Sequence, residues 1–443
     1  MDRYVLHHAE SYRSVMRQSG WLALAAASLL LGLRGPLAGG PPSAAPTPSD
    51  RERFMDDVQR RAVTFFVQCA HPETGLVRDR AGNFAPDTYD VASIAATGYG
   101  LAALPIGVRR GWIARDEAEK QAERTLRFVL GMPDKRGWMY HFVDWSTGER
   151  RWNCEVSSID TGLLVIGALT CGQFFRGTGV ERLANRLYDR LDWTWMRTNG
   201  GAKPDKLLIS HGWKPEGGFL PNDWDAYCEH MFLYLLGLGA RRDPLPAGSW
   251  TAWKRGRFEY DGIQAIAAGP LFWHQMSHAY YDFRGRKDAL GFDYHEEAVR
   301  ATRIHRRFCA ANATGRKGYG IHGWGLNACD GPDGYMAYGV PAPEDGTLAP
   351  TAALAAIMAD ADAALTTAMH MRDTYGSRIW GRYGFVNAYN LDRDWFDRDV
   401  IGIDLGMALL AIENHRSGLV WKMLAAHPST RRAMDKAGFV RKG

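Results

Sequence analysis

The feature that most constrains this 443-residue chain is an alternation between two kinds of helix-length segment. Residues 157–176 and 223–239 are apolar almost all the way round, whereas 115–131 and 293–312 carry one charged face. A helix that is apolar on every side must be surrounded by other elements, and an amphipathic one lies outside it. Apolar periodicity predicts helices over 52–70, 89–108, 115–131, 157–176, 179–191, 223–239, 246–256, 265–281, 293–312, 349–358, 360–375 and 403–415, with a short helical tail at 428–437. Alternation on this scale points to an all-α toroid, an inner ring of helices wrapped by an outer one. A multi-domain helical bundle is the competing architecture. Segments that alternate apolar and polar residues are short, so strands are expected only as minor β-hairpins in the loops.

Long loops rich in Gly, Trp and Asp separate the helices and are expected to gather at one end of the ring, forming a cleft. Sixteen Trp accompany 18 Tyr and 18 Phe, and many of the Trp stand beside polar residues, as in GWMYHFVDW, SHGWKPEGGF and IHGWGLNACDGPDGY. Flat rings next to hydrogen-bonding groups suit a sugar, whose C–H face stacks while its hydroxyls bond. The net charge of +5 is scattered, with no basic stripe or arm, which argues against nucleic acid as a partner.

Residues 21–33, WLALAAASLLLGL, form a short apolar run between Arg17 and Arg34, followed by GGPPSAAPTPSD. That pattern reads as a secretory h-region and a Pro-rich linker, too short for a confident membrane span. Residues 1–49 are therefore expected to be an export segment and 50–443 a single catalytic domain. The expected location is periplasmic or secreted, with no stable membrane span after signal removal and a monomeric state. None of the six Cys forms a CxxC pair or zinc-type cluster, and they are expected to be mostly free and buried.

Acids at helix entrances carry the functional expectation. In RWNCEVSSIDTGLLVIGAL, Ser157 and Asp160 fit S-x-x-D, a capping box, so Asp160 has a structural reason to be there. Glu155 precedes the cap and has none. In NDWDAYCEHMFLYLLGLG, helical spacing would put Asp225 and Glu229 on one face, and burial plus the neighbouring charge would raise the Glu229 pKa, as a general acid requires. Asp330 and Asp333 lie in the turn-like CDGPDGY, and Asp404 opens another apolar helix, where capping competes with function. His278 and Asp282 are spaced i,i+4, as substrate contacts or structure. No metal-ligand spacing, Walker, HExxH or GxSxG motif is present, and no cofactor or metal is expected. Paired carboxylates beside Trp-rich loops point to glycoside hydrolysis, in which one acid protonates the leaving oxygen and a carboxylate acts on the opposite face.

Several blocks in order, WNCEVSSIDTGLLVIGAL, LISHGWKPEGGFLPNDWDAYCEHMFLYLLGLG, PLFWHQMSHAYYDFRG, GWGLNACDGPDGYMAYG, DGTLAPTAA and WGRYGFVNAYNLDRDWFDRDVIGIDLGMALLAIENHRSGLVWK, resemble the bacterial glucoamylase-like family. That family includes endo-β-1,2-glucanases and a domain of cyclic β-1,2-glucan synthases. The resemblance spans roughly 54–439 and implies an (α/α)6 barrel acting on a β-linked glucan, most specifically β-1,2-glucan. It places the principal acid on Glu229 and a partner carboxylate at Glu155 or Asp160, with Glu155 preferred because Asp160 has a cap to make. It implies sugar contacts at His211, Trp213, His278, Asp330, Asp333, Tyr335 and Arg382. Trp152, Trp224, Asp225, Trp395 and Asp404 complete the expected substrate-binding set. Cys154, Cys228 and Cys329 stand where small or polar residues are expected, which leaves linkage and subsite detail open. A retaining transglycosylase, a polysaccharide lyase and a non-catalytic glucan-binding protein are the competing functions.

Overall fold

A computed structural model describes residues 47–441. Most of the expected 1–49 export segment, including the apolar run at 21–33, lies outside the described residues. Its last three residues already belong to the fold. Thr47 caps the first helix, Pro48–Gln68, accepting from the Asp50 amide while Asp50 Oδ2 accepts from the Thr47 amide, and Pro48 occupies the first turn.

The fold is helical, and its helices are of two kinds. Ile94–Arg109, Ser158–Phe174, Met231–Gly239, Met276–Tyr280, Pro350–Ala355 and Gly402–Ser417 are buried along most or all of their length. Pro48–Gln68, Arg115–Val129, Gly179–Asp189, Tyr294–Ala311 and Pro428–Lys436 bury one face only. The Ile94 helix packs on both the Ser158 and Gly402 helices, the Ser158 helix on the Met231 helix, and the Met276 helix on both the Met231 and Gly402 helices. The Pro350 helix packs on the Gly402 helix. The amphipathic helices pack outside these: Arg115 against Gly179, Gly179 against Ser158, Pro48 against Ile94 and Gly402, and Pro428 against Met231. One contiguous hydrophobic cluster runs from Phe54 to Phe439.

Small residues set the closest approach. A Cβ on Gly98 would strike the Leu163 carbonyl and one on Gly167 the Gly98 carbonyl, so the Ile94 and Ser158 helices meet backbone to backbone. Overpacking such a contact typically costs about 1–3 kcal/mol.

Strands are two or three residues long, in sheets of two or three strands, as expected for loop hairpins. Their placement is less expected, because four lead straight into apolar helices. Val91–Ser93 runs into the Ile94 helix, Val156–Ser157 into Ser158, Thr347–Leu348 into Pro350, and Asp399–Ile401 into Gly402. The helix predicted over 89–108 therefore starts late, because residues 91–93 pair with Phe142–Asp144.

The larger departure is at 223–239, where the helix begins only at Met231. The backbone before it is committed elsewhere. Asp223 bridges Ser210, Ala226 bridges Lys254, and the Lys254 amide donates to Asp225 O at 2.7 Å. Helices at Trp193–Thr198 and Leu419–Ala426 were not anticipated. All six Cys are buried and free, as expected. Among the described residues no helix is long and apolar enough to cross a membrane.

Candidate active site

The start of the Ser158 helix is built by a tight loop and a three-stranded hairpin. Trp152 and Asn153 both adopt left-handed backbone, at φ 53° and 49°, turning the chain so that Glu155 precedes the strand Val156–Ser157. That strand pairs with Gly212–Lys214, Ser157 opposite Gly212, and the Ser158 amide donates to His211 O. Across the loop the His141 amide donates to Glu155 O at 3.0 Å, fixing the two residues against each other.

Asp160 does what its spacing predicts. It accepts from Ser157 Oγ at 2.6 Å while its own amide donates to that oxygen, completing the cap. Glu155 faces His141 instead, Nδ1 to Oε1 at 3.1 Å, and the other ring nitrogen, Nε2, lies 3.5 Å from Asp160 Oδ1. The imidazole stacks on Phe142 with centroids 3.8 Å apart, and Trp152 packs beyond Phe142. Burial opposes charge on this ring, yet the Asp160 charge and the Glu155 hydrogen bond and charge, with Asp79 behind them, push its pKa up to about 9. Burial likewise opposes ionisation of Glu155, but the His141 hydrogen bond and charge, with Lys214 nearby, hold it at about 2. Asp160 is raised, chiefly by burial.

The start of the Gly402 helix has similar parts in a different balance. Ile401 makes no side-chain cap, and Asp404 is not used as one. Its carboxylate accepts from Asn387 Nδ2 at 2.7 Å and faces Asn327 Nδ2 at 3.5 Å, while Asn387 Oδ1 accepts from the Asp330 amide at 2.8 Å. Arg80 bonds Asp330 Oδ2 at 2.8 Å and Asp79 Oδ2 at 3.2 Å. Asp397 and Asp399 stand close enough to feel both Asp330 and Arg80, so one arginine faces five aspartates. Burial, reinforced by Asp330 and Asp79 against the Asn387 bond and Arg80, pushes Asp404 up to about 7. Burial and Asp330 bring Asp397 to about 7 as well.

A helix N-terminus favours an anion by roughly 0.3–1 kcal/mol, less than one pKa unit. The Asp404 shift corresponds to roughly 4 kcal/mol, so burial decides its state.

Asp79 joins the two helix starts. Its amide donates to Val91 O, its carbonyl accepts from the Gly402 amide at 2.7 Å, and its charge acts on His141, Asp160, Asp404 and Tyr335.

The other expected residues divide by location. His211 stacks on Trp224 at 3.9 Å, and Trp224 donates to Ser158 Oγ at 2.9 Å, which brings both to the Ser158 start. Burial takes the His211 pKa down to about 4, so the ring is neutral there. Trp213 belongs to the same hairpin, under Lys135 and beside Trp195. Tyr335 is held among Asp404, Cys329, Asp330 and Asp79, its phenol pushed far up by burial and those charges. Trp395 pairs with Asn390 in a short strand.

One expectation is corrected, and four other expected residues lie as follows. Asp225 and Glu229 do not share a helix face, because residues 223–230 are not helical, and Asp225 pairs with Lys254. Glu229 sits in the turn before the Met231 helix, 3% exposed, its carbonyl accepting from Ser277 Oγ at 2.7 Å. His278 is a core residue, its Nε2 donating to Tyr294 O and its ring against Phe283. Asp333 and Arg382 are exposed, the former paired with Arg393 and the latter anchored through its amide to Asn83 O.

His141, Asp79, Arg80, Asn327 and Asn387 were not anticipated. His141 lies in the quoted GWMYHFVDW and Asn387 in GRYGFVNAYN, but neither has spacing that links it to an acid. His141, Glu155 and Asp160 each offer an atom within 4.8 Å of the others, a spacing a cation could use. Both ring nitrogens already face carboxylates.

The likeness to the glucoamylase-like family is borne out over the second half of the chain. Residues 221–428 match the family model Glycoamylase, described as "Putative glucoamylase". The exo β-1,2-glucooligosaccharide sophorohydrolase (non-reducing end) of Parabacteroides distasonis is 27% identical over 436 residues, 89% of this chain. The chain spans 59% of that curated relative's length. The structure of a "putative glucoamylase" from Bacteroides uniformis superposes with a TM-score of 0.81 at 28% identity, covering 88% of this chain and 98% of that one. An endo-β-1,2-glucanase from Chitinophaga pinensis, in complex with sophorotriose and glucose, gives 0.81 at 25% identity over the same shares.

Proposed function

We propose that this protein is a glycoside hydrolase that cleaves a β-1,2-linked glucan, built as an (α/α)6 barrel whose inner helices are the six buried ones. Five of the six, Ile94, Ser158, Met231, Met276 and Gly402, pack in a closed circuit with Pro350 against Gly402, which supports the barrel, and the β-1,2-glucan activities of the relatives support the substrate. The observation that carries the chemistry is a pair of acids in opposite protonation states at neighbouring helix starts. Glu155 is held ionised and Asp404 is held neutral up to about pH 7.

Asp404 then serves as the acid that protonates the departing glycosidic oxygen, and Glu155 as the carboxylate that acts on the opposite face of the sugar. Asn387 orients Asp404, Asp160 caps its helix, and His211 and Trp213 offer ring surface for stacking. If Glu155 activates water directly, the product anomer is inverted, and if it attacks carbon the anomer is retained. Carboxyl separations of about 6.5–9.5 Å and about 5–5.5 Å distinguish these cases.

Glu229 is the competing acid, a nearly buried carboxyl at the third helix start. Release of oligosaccharides from β-1,2-glucan, followed with Asp404→Asn and Glu229→Gln, tests the assignment. The acid is the one whose replacement abolishes hydrolysis and removes the basic limb of the pH profile. Export through residues 21–33 and a monomeric catalytic unit over 50–443 are part of the same reading; cell fractionation and sedimentation test them.

A further inference from the structure

Resting on the hydrolytic reading, we propose that His141 is a positioning residue, an imidazolium wedged between Glu155 and Asp160 that aims Glu155 and keeps it an anion.

Three independent contacts fix the ring. Nδ1 lies 3.1 Å from Glu155 Oε1, Nε2 lies 3.5 Å from Asp160 Oδ1, and its face stacks on Phe142 at 3.8 Å. A neutral imidazole has one donor nitrogen and one acceptor nitrogen, so it would turn a lone pair toward one of the two carboxylates. Only the doubly protonated ring presents an N–H toward both carboxyl oxygens. The backbone supports the arrangement, because the His141 amide donates to Glu155 O and its carbonyl accepts from the Ile94 amide. One residue thereby ties the Ser158 helix start to the Ile94 helix start.

The surrounding charges agree. Glu155 faces one ring nitrogen and Asp160 the other, and the charge of Asp79, whose amide donates to Val91 O, acts on the ring as well. Glu155 is also faced by Lys214, and its charge reaches the neutral His211 and the Cys154 thiol. Lys214 acts on Glu155 and Arg150 on Cys154, but His141 is the cation that faces both Glu155 and Asp160, and loss of its charge leaves them as close anions.

The sign follows from the two shifts. The folded pKa of His141 lies above its ordinary value, so its contribution is complete below about 6.5 and fades through about 9. Glu155 lies below its ordinary value, so its contribution is complete above about 4.5 and fades toward about 2. Across the neutral range the pair is charged.

The test compares His141→Gln, His141→Lys and Glu155→Gln in the full chain on β-1,2-glucan, with wild-type imidazole titration followed by NMR. The proposal expects a wild-type His141 signal, identified by its loss in His141→Gln, that stays protonated at pH 7. It expects kcat to fall about 10–100-fold in His141→Gln with KM changed less than about threefold. The acid limb should move up into the range of an ordinary carboxylate, and His141→Lys should shift it part of the way back. A His141 signal titrating near 6.5, or a His141→Gln acid limb that coincides with that of the wild type, overturns it. Full activity in Glu155→Gln would overturn the hydrolytic reading itself, while the titration would still report separately on the clamped ring.

Discussion

The helix starts at Ser158 and Gly402 differ mainly in how many acids share each cation, and that difference separates their chemistry. Each is a short strand running into a buried helix, with an aspartate in the first turn. At Ser158, His141 lies within reach of both carboxylates, and Glu155 remains ionised to about pH 2. At Gly402, Arg80 is spread over a crowd of aspartates, and Asp404 and Asp397 stay neutral to about pH 7. The helix dipole is common to both and is too weak to override either balance. Local sequence places an acid at each start, and the surrounding charges decide which one gives a proton and which one holds a negative charge.

The largest effect expected from breaking this contrast is the loss of either acid. Glu155→Gln and Asp404→Asn should each lower kcat by about 10²–10⁴-fold, measured as oligosaccharide release from β-1,2-glucan. The contrast is sharpened by the pH profile of the wild type. Activity should decline as pH rises through about 7, where Asp404 loses its proton, and persist on the acid side to the limit of folding, because Glu155 is still ionised. Arg80→Gln removes the cation that acts on Asp404, so the basic limb of that profile should move to higher pH, by about one unit.

A stability effect should follow in the same direction. Asp404 binds its proton more tightly folded than unfolded, so its ionisation lowers stability as pH rises from about 4 through 7. Asp404→Asn should therefore flatten the fall in Tm between pH 5 and pH 8, read by thermal melts of both proteins. The smallest effect is expected at Asp333. It forms an exposed pair with Arg393, so Asp333→Asn should change stability by less than about 1 kcal/mol and leave kcat within about twofold.

The alternation of apolar and amphipathic helices was legible because it follows from burial alone, and most helices lie where periodicity put them. The main failure has a plain cause. Residues 223–230 have a helical pattern, but their amides and carbonyls pair with residues near 210 and 254, and long-range backbone pairing overrode local preference. His278 was expected, from its i,i+4 spacing to Asp282 and from the family resemblance, as a substrate contact or a structural residue. Its place is the core, against Tyr294 and Phe283.

Sequence by itself determined which helices must be buried, that strands are short, that Ser157 and Asp160 form a cap, and that acids stand where apolar helices begin. These follow from covalent neighbours and from the period of the helix. Tertiary structure alone decided that His141 lies between Glu155 and Asp160, and that Arg80, 250 positions from Asp330, is its partner. A carboxyl's proton affinity depends on desolvation and on charges within a few ångströms, and folding draws those charges from distant parts of the chain.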